Sequence, residues 1–196
     1  MTIPPNEINL TYLHAFLTSD ECTELISLSQ GLFSRSLTAL GIHADRTSHS
    51  AHPSSSANAN GRGDVMHRVR KRVTELTGAH STRIQGPTVV RYEPGQQFKP
   101  HFDSGLDFAT HKCLREFSFF AYLNTLSPDA GGETEFTKIG VKFTPKGGRC
   151  TLLAQPQGPS FAALPGRRAR WLSSAQRHQV RSVSVRLDRN AQRPKR

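Results

Sequence analysis

The chain has 196 residues and a mass of 21.7 kDa, the size of one domain, which excludes two full catalytic domains. Apolar residues at 35% and charged residues at 21% suffice for a packed core and exclude wholesale disorder. The net charge of +11 is unevenly placed: residues 1–148 hold 15 Lys and Arg against 14 Asp and Glu, whereas residues 149–196 hold 11 against the single acid Asp188.

The opening MTIPPNEINL lacks the basic start and apolar run of a signal peptide, and no stretch approaches the roughly 18 apolar residues of a membrane span. Cys22, Cys113 and Cys150 form neither a paired framework nor a zinc-type CxxC. The expectation is a soluble protein of the cytoplasm or another reducing intracellular compartment, with no membrane partner. Thr18 with Glu21 three residues on reads as a capping box, and Cys22, Leu25, Ile26 and Leu28 give an apolar stripe, so a helix is expected over 19–31. Residues 46–63 (RTSHSAHPSSSANANGRG) offer little to a core and read as a long mobile loop. Asp64 then opens a second amphipathic helix, with Val65, Val69, Val73 and Leu76 on one face and a basic face read as solvated, ending at Thr77-Gly78.

Strand signals dominate beyond this point. Residues 88–94, 97–103, 115–124 and 133–145 mix aromatic and β-branched residues with period-two alternation, broken by Pro-Gly, Ser-Pro-Asp-Ala-Gly-Gly and Lys-Gly-Gly. Short strands at this spacing imply a barrel or sandwich, with two preceding helices covering one outer face: an α+β domain with a β core. The chain divides into a helical support (1–87), a β core (88–148) and an arginine-rich tail (149–196).

His101-Phe102-Asp103 carries the chemistry. Residues i and i+2 of a strand share a face, so an imidazole and a carboxylate would point into one interior. With a remote histidine they would make the facial triad of a non-haem Fe(II) site. A surface hydrogen-bonding pair is the plainer reading of the same three residues. Context favours the metal. The segments VVRYEPGQQFKPHFDSG, REFSFFAYLN, AGGETEF and PKGG occur in an order and at a spacing that resembles the prolyl 4-hydroxylase branch of the 2-oxoglutarate and Fe(II)-dependent dioxygenases. The resemblance covers about residues 46–148 and takes in Arg46-Thr47-Ser48, which places the loop that follows beside a substrate groove.

The resemblance implies a double-stranded β-helix, a jelly-roll-like core. It implies Fe(II), 2-oxoglutarate and dioxygen as cofactors, with ascorbate beside them, and hydroxylation of prolyl residues in a peptide or protein. His101 and Asp103 would be two iron ligands and the catalytic centre. Tyr92 and Tyr122 resemble tyrosines that line the 2-oxoglutarate pocket, although each is equally read as a core residue with a satisfied hydroxyl. Gly131, Gly132, Glu133 and Thr134 are assigned to architecture first and to the substrate rim second.

After Gly148 the resemblance stops. No His-x-Gly follows, and no basic residue lies ten positions after a histidine. His178 is the one candidate for a third ligand, and its tenth successor is Asp188, although Arg186 is near. The C-terminal strands are therefore expected to be missing or aberrant, and the chain weakly active or inactive. A one-base slip near codon 148 would explain the break. Read one base late, Arg149-Cys150-Thr151-Leu152 can become Ala-Ala-Leu, and Ala169 to Ser174 can become His-Ala-Gly-Cys-Pro. Trp171 before Leu172 must give Gly, and Gln179 before Val180 must give Lys or Arg. Two other functions compete: the same core acting on another side chain or a free amino acid, and a non-catalytic nucleic-acid binder using the arginine tail.

Overall fold

The computed structural model describes residues 9–38, 41–53, 64–101, 103, 115–137, 139–154, 171–174 and 180–188. Eleven strands are found among them: β1 (Asn9–Leu13), β2 (Ser34–Arg35), β3 (His49–Ala51), β4 (Thr88–Tyr92), β5 (Gln97–Phe98), β6 (Arg115–Tyr122), β7 (Glu133–Phe136), β8 (Val141–Phe143), β9 (Cys150–Ala154), β10 (Trp171–Ser174) and β11 (Val180–Asp188). They form a seven-stranded sheet in the order β1-β9-β6-β11-β4-β3-β2 and a four-stranded sheet in the order β5-β10-β7-β8. Every strand pair is antiparallel. Two helices, α1 (Ser19–Leu28) and α2 (Val65–Thr77), lie against the larger sheet.

Period two decides what faces what. Val89 on β4, Phe117, Phe119 and Ala121 on β6, and Cys150 and Leu152 on β9 join Leu25, Val65, Val69 and Val73 in the cluster beneath the helices. The alternate residues Val90, Tyr92, Phe120, Tyr122 and Leu153 turn the other way and meet Phe98, Phe136 and Phe143 of the smaller sheet. The interior between the two sheets is thus the core of a sandwich, in keeping with the jelly-roll-like fold that the resemblance implied. Among the described residues no helix is long and apolar enough to cross a membrane.

Both helices begin where expected. Thr18 and Glu21 make the reciprocal capping box at α1, and Asp64 caps α2 by accepting from His67 N at 2.8 Å. Helix α1 ends at Leu28 rather than near 31, because the Ser29 hydroxyl donates back to Leu25 O at 2.7 Å and Gly31 takes a φ of 75°. The basic face of α2 is not simply solvated. Arg72 grips Glu21 with both Nη atoms at 3.0 Å and donates to Phe16 O at 2.6 Å, while Arg68 reaches Glu24 at 2.5 Å. This arginine pair fastens the helices together.

Two further expectations are corrected. The start of the 46–63 loop is ordered, since β3 pairs with β4 and the hydroxyls of Ser36, Ser48 and Ser50 satisfy one another at 2.6–2.9 Å, so polar residues can be buried there. Residues 54–63 of that loop lie outside the described residues. The C-terminal strands are present rather than missing: β9 pairs with β1 and β6, β10 with β5 and β7, and β11 fills the gap between β4 and β6. An unfilled slot between two strands would leave two rows of backbone groups without partners, and any segment with enough β propensity relieves that.

The Glu21 carboxyl is raised by burial but lowered more by the Arg72 and Thr18 hydrogen bonds, and stands below its ordinary value of 4.5. Its stabilising contribution is complete above the unfolded value and is lost as pH falls through the lower folded one. Glu21→Gln is expected to cost about 2 kcal/mol at pH 7 in urea unfolding. The gap to wild type should narrow steadily once the pH drops below 4.5.

Candidate metal and co-substrate site

The strand expected over 97–103 stops at Phe98, because Pro100 has no N–H to offer a ladder and its ring fixes φ. His101 therefore lies beyond the strand and Asp103 at a bend. Neither is placed by strand alternation. The segment leading into His101 is held by a neighbouring stretch: Thr47 N donates to Gln97 O at 2.8 Å, Gln97 N donates to Thr47 Oγ1 at 2.7 Å, and Lys99 N donates to Asp45 O at 2.7 Å. The Lys99 ammonium also meets Asp45 at 2.9 Å and, through that hydrogen bond, holds the Asp45 carboxyl below its usual range.

The His101 Nδ1 lies 2.9 Å from Lys99 O. A carbonyl can only accept, so Nδ1 carries the proton, and in a neutral ring Nε2 would be the nitrogen left to bind a metal. The ring stacks on Phe98 with centroids 3.6 Å apart and planes at 17°. Asp103 is buried, at 8% exposure. A carbonyl-anchored imidazole is the arrangement that metal-ligating histidines take, and with a buried carboxylate two residues on it suits a divalent iron. His178 lies outside the described residues, and among those described no group of three His, Cys, Asp or Glu forms a metal cage.

Tyr92 and Tyr122 stand on the interior face of β4 and β6, separated by β11, whose Val180 and Ser182 are their register partners. Tyr122 is fully buried, and its hydroxyl donates to Thr134 Oγ1 at 2.6 Å with Phe143 O at 3.2 Å. Burial pushes its phenol well above the usual range. Thr134 follows Gly131 and Gly132, whose φ values of 80° and 79° suit glycine. That motif therefore has an architectural task, presenting Thr134 to Tyr122. Ser118, on the same face of β6, has a buried hydroxyl without a partner among the described residues, and its register partner on β11 is Arg186. An orphaned donor beside a basic residue's position is a fitting place for a carboxylate.

Sequence reasoning missed Phe98 as the platform under His101, Thr134 as the partner of Tyr122, and Arg46, whose guanidinium lies 4.8 Å from the Phe98 centroid. The available signal was an aromatic residue three before the histidine with a proline between, and the Arg-Thr-Ser run upstream.

The sequence profile of the 2OG-Fe(II) oxygenase superfamily matches residues 87–192. Probable prolyl 4-hydroxylase 11 of Arabidopsis thaliana is 33% identical over 148 residues, 69% of this chain and 49% of that protein. Prolyl 4-hydroxylase 5 of the same plant is 32% identical over 127 residues, 63% of this chain and 43% of that protein. The chain spans about half the length of these relatives. In fold it is similar to the viral collagen prolyl hydroxylase of Paramecium Bursaria Chlorella virus-1 in its 2OG complex, with a TM-score of 0.65, 21% identity, and coverage of 91% of this chain and 96% of the other. It is also similar to a Trichoplax adhaerens prolyl hydroxylase in complex with a hypoxia inducible factor peptide, with a TM-score of 0.66, 17% identity, and coverage of 91% and 83%.

Tyr122→Phe removes a buried donor and leaves Thr134 unpaired, so a loss of about 1–2 kcal/mol is expected in thermal or urea unfolding. An unchanged stability would show that the hydroxyl is not engaged within the fold.

Proposed function

The chain belongs to the 2OG-Fe(II) oxygenase superfamily, and we propose that it is a prolyl 4-hydroxylase-like dioxygenase acting on a peptide or protein. The observation that carries this reading is the carbonyl-anchored imidazole of His101 beside the buried carboxylate of Asp103. These two side chains would hold Fe(II), with His178 as the third ligand. Bound iron supplies the oxidation, coupling decarboxylation of 2-oxoglutarate to succinate with insertion of one oxygen atom of dioxygen into a C–H bond. The chain's own residues bind, orient and exclude water. Tyr92 would donate its hydroxyl to 2-oxoglutarate, and Tyr122 would wall the same pocket. Ser118 and Arg186, paired in register, are the groups this polypeptide offers to a carboxylate. Ascorbate would keep the iron reduced.

The names of the relatives support a prolyl substrate in a peptide, and the same core could instead take another side chain or a free amino acid. Residues 150–154, 171–174 and 180–188 of the arginine-rich tail are strands of the sheets, which supports an oxygenase core over a free nucleic-acid-binding arm.

With Fe(II), 2-oxoglutarate and a proline-rich peptide, succinate release and a hydroxyproline mass shift are expected, and His101→Ala or Asp103→Ala should abolish both. Turnover should be roughly ten- to a hundredfold below that of an intact prolyl 4-hydroxylase, the effect of losing a charge-assisted carboxylate contact. Turnover equal to such an enzyme would refute the view that the tail impairs the site.

The tail's composition supports a one-base slip near codon 148, since its 11 basic residues against one acid have no balance of their own. The gene's nucleotide sequence is expected to hold an open later frame encoding His-x-Gly, with Lys or Arg ten residues on. A stop in that frame, or no such histidine, overturns the slip.

A further inference from the structure

We propose that Arg46 and Phe98 are positioning residues that fix the imidazole of His101 before any metal arrives. The proposal rests on the reading of His101 as a metal ligand and adds to it the source of the ring's orientation. Two of the contacts on that ring bear on its orientation. The Nδ1 bond to Lys99 O at 2.9 Å sets which edge faces the backbone, and the Phe98 ring at 3.6 Å and 17° sets the plane. The hydrogen bond at Nδ1 restrains one edge of the ring but not its plane, whereas the flat contact with Phe98 restrains the plane and so where Nε2 points.

The platform is itself fixed. Phe98 packs with Tyr92 and Tyr122 in the interior cluster, pairs with Ser173 of β10, and forms a β-bridge with Arg46. The Arg46 guanidinium lies 4.8 Å from the Phe98 centroid. It is held by Leu37 O at 2.9 Å and Ser48 Oγ at 3.1 Å, with Ser50 Oγ at 3.5 Å. A cation fixed against an aromatic ring is an electrostatic contact that restrains both. The line Leu37–Arg46–Phe98–His101 thus runs from the edge of the larger sheet to the ligand. In this arrangement Arg46 and Phe98 act through His101.

The test uses the full chain. In the metal-free protein, the ring protons of His101, assigned by their disappearance in His101→Ala, are expected upfield of those of an exposed histidine because they lie over the Phe98 ring. Phe98→Leu should return them to the exposed position. Mn(II) binding, followed by electron paramagnetic resonance, should weaken about ten- to a hundredfold in Phe98→Leu, the range for removing a residue that orients a ligand. Phe98→Tyr, which keeps the stack, should stay within about threefold of wild type on the same scale. If Phe98→Leu does not fold by circular dichroism, Arg46→Gln, which leaves the ring in place, carries the comparison and should weaken Mn(II) binding while Arg46→Lys weakens it less. Unshifted His101 protons in wild type, or Mn(II) affinity in Phe98→Leu equal to wild type while His101→Ala loses it, overturns the positioning role and leaves the metal site standing. Mn(II) affinity unaffected by His101→Ala overturns the metal site, and the positioning role with it.

Discussion

Both faces of β6, at the middle of the larger sheet, are buried over Ser118–Tyr122 apart from a partly covered Phe120, and this constraint governs the residues around it. A sheet with one wet face could alternate apolar with polar. Here β6 must supply Phe117, Phe119 and Ala121 to the helices and Phe120 and Tyr122 to the interior between the sheets. Polar atoms admitted to such a strand need partners inside the protein. Tyr122 finds Thr134 and Phe143, whereas Ser118 finds none among the described residues. The described interior is therefore apolar along most of its length, and the Ser118 hydroxyl is the buried polar atom on it left without a partner there.

The helical layer is tied to this sheet at one glycine. Gly148 O accepts from Phe16 N at 2.9 Å and Leu17 N at 3.0 Å, and Gly148 N donates to Tyr122 O at 2.9 Å. Its φ is 77°, and a Cβ there would stand 2.4 Å from Leu17 O. Only glycine meets both demands. The end of the strand that carries Tyr122 and the segment entering α1 are thereby held by the same residue, so the helices do more than cover the sheet. They fix the place where β6 leaves it, and with it one wall of the interior.

What could be read from the residues alone follows from the range of the interactions. Capping boxes and helical stripes are local, and Thr18, Glu21, Asp64 and Gly78 gave the helix limits to within a turn. The alternation at 88–94, 115–124 and 133–145 is local too: strands stand at Thr88–Tyr92 and Arg115–Tyr122, and the third run is two strands, Glu133–Phe136 and Val141–Phe143. His101 and Asp103 were legible as a pair because so few residue types hold a divalent cation. The course of the chain leading into them was not, since Gln97, Phe98 and Lys99 are held by Asp45, Arg46 and Thr47, some fifty positions away, and a proline ends the strand early. The arginines of α2 were misread for the same reason: only the fold brings Glu21 and Glu24 to them.

The tail shows the difference between closing a fold and furnishing a site. Pairing in a sheet is made by N–H and C=O groups that every residue but proline carries, so a segment with Val183, Val185 and Leu187 alternating with Ser and Arg can complete the ladder between β4 and β6. Ligation asks for one particular atom at one particular point, and no run of general β propensity supplies it. A sheet can therefore be whole in its backbone whatever ligands its last strands bring to the proposed metal site. The fold is indifferent to which side chains its last strands bring, whereas the chemistry depends on them entirely.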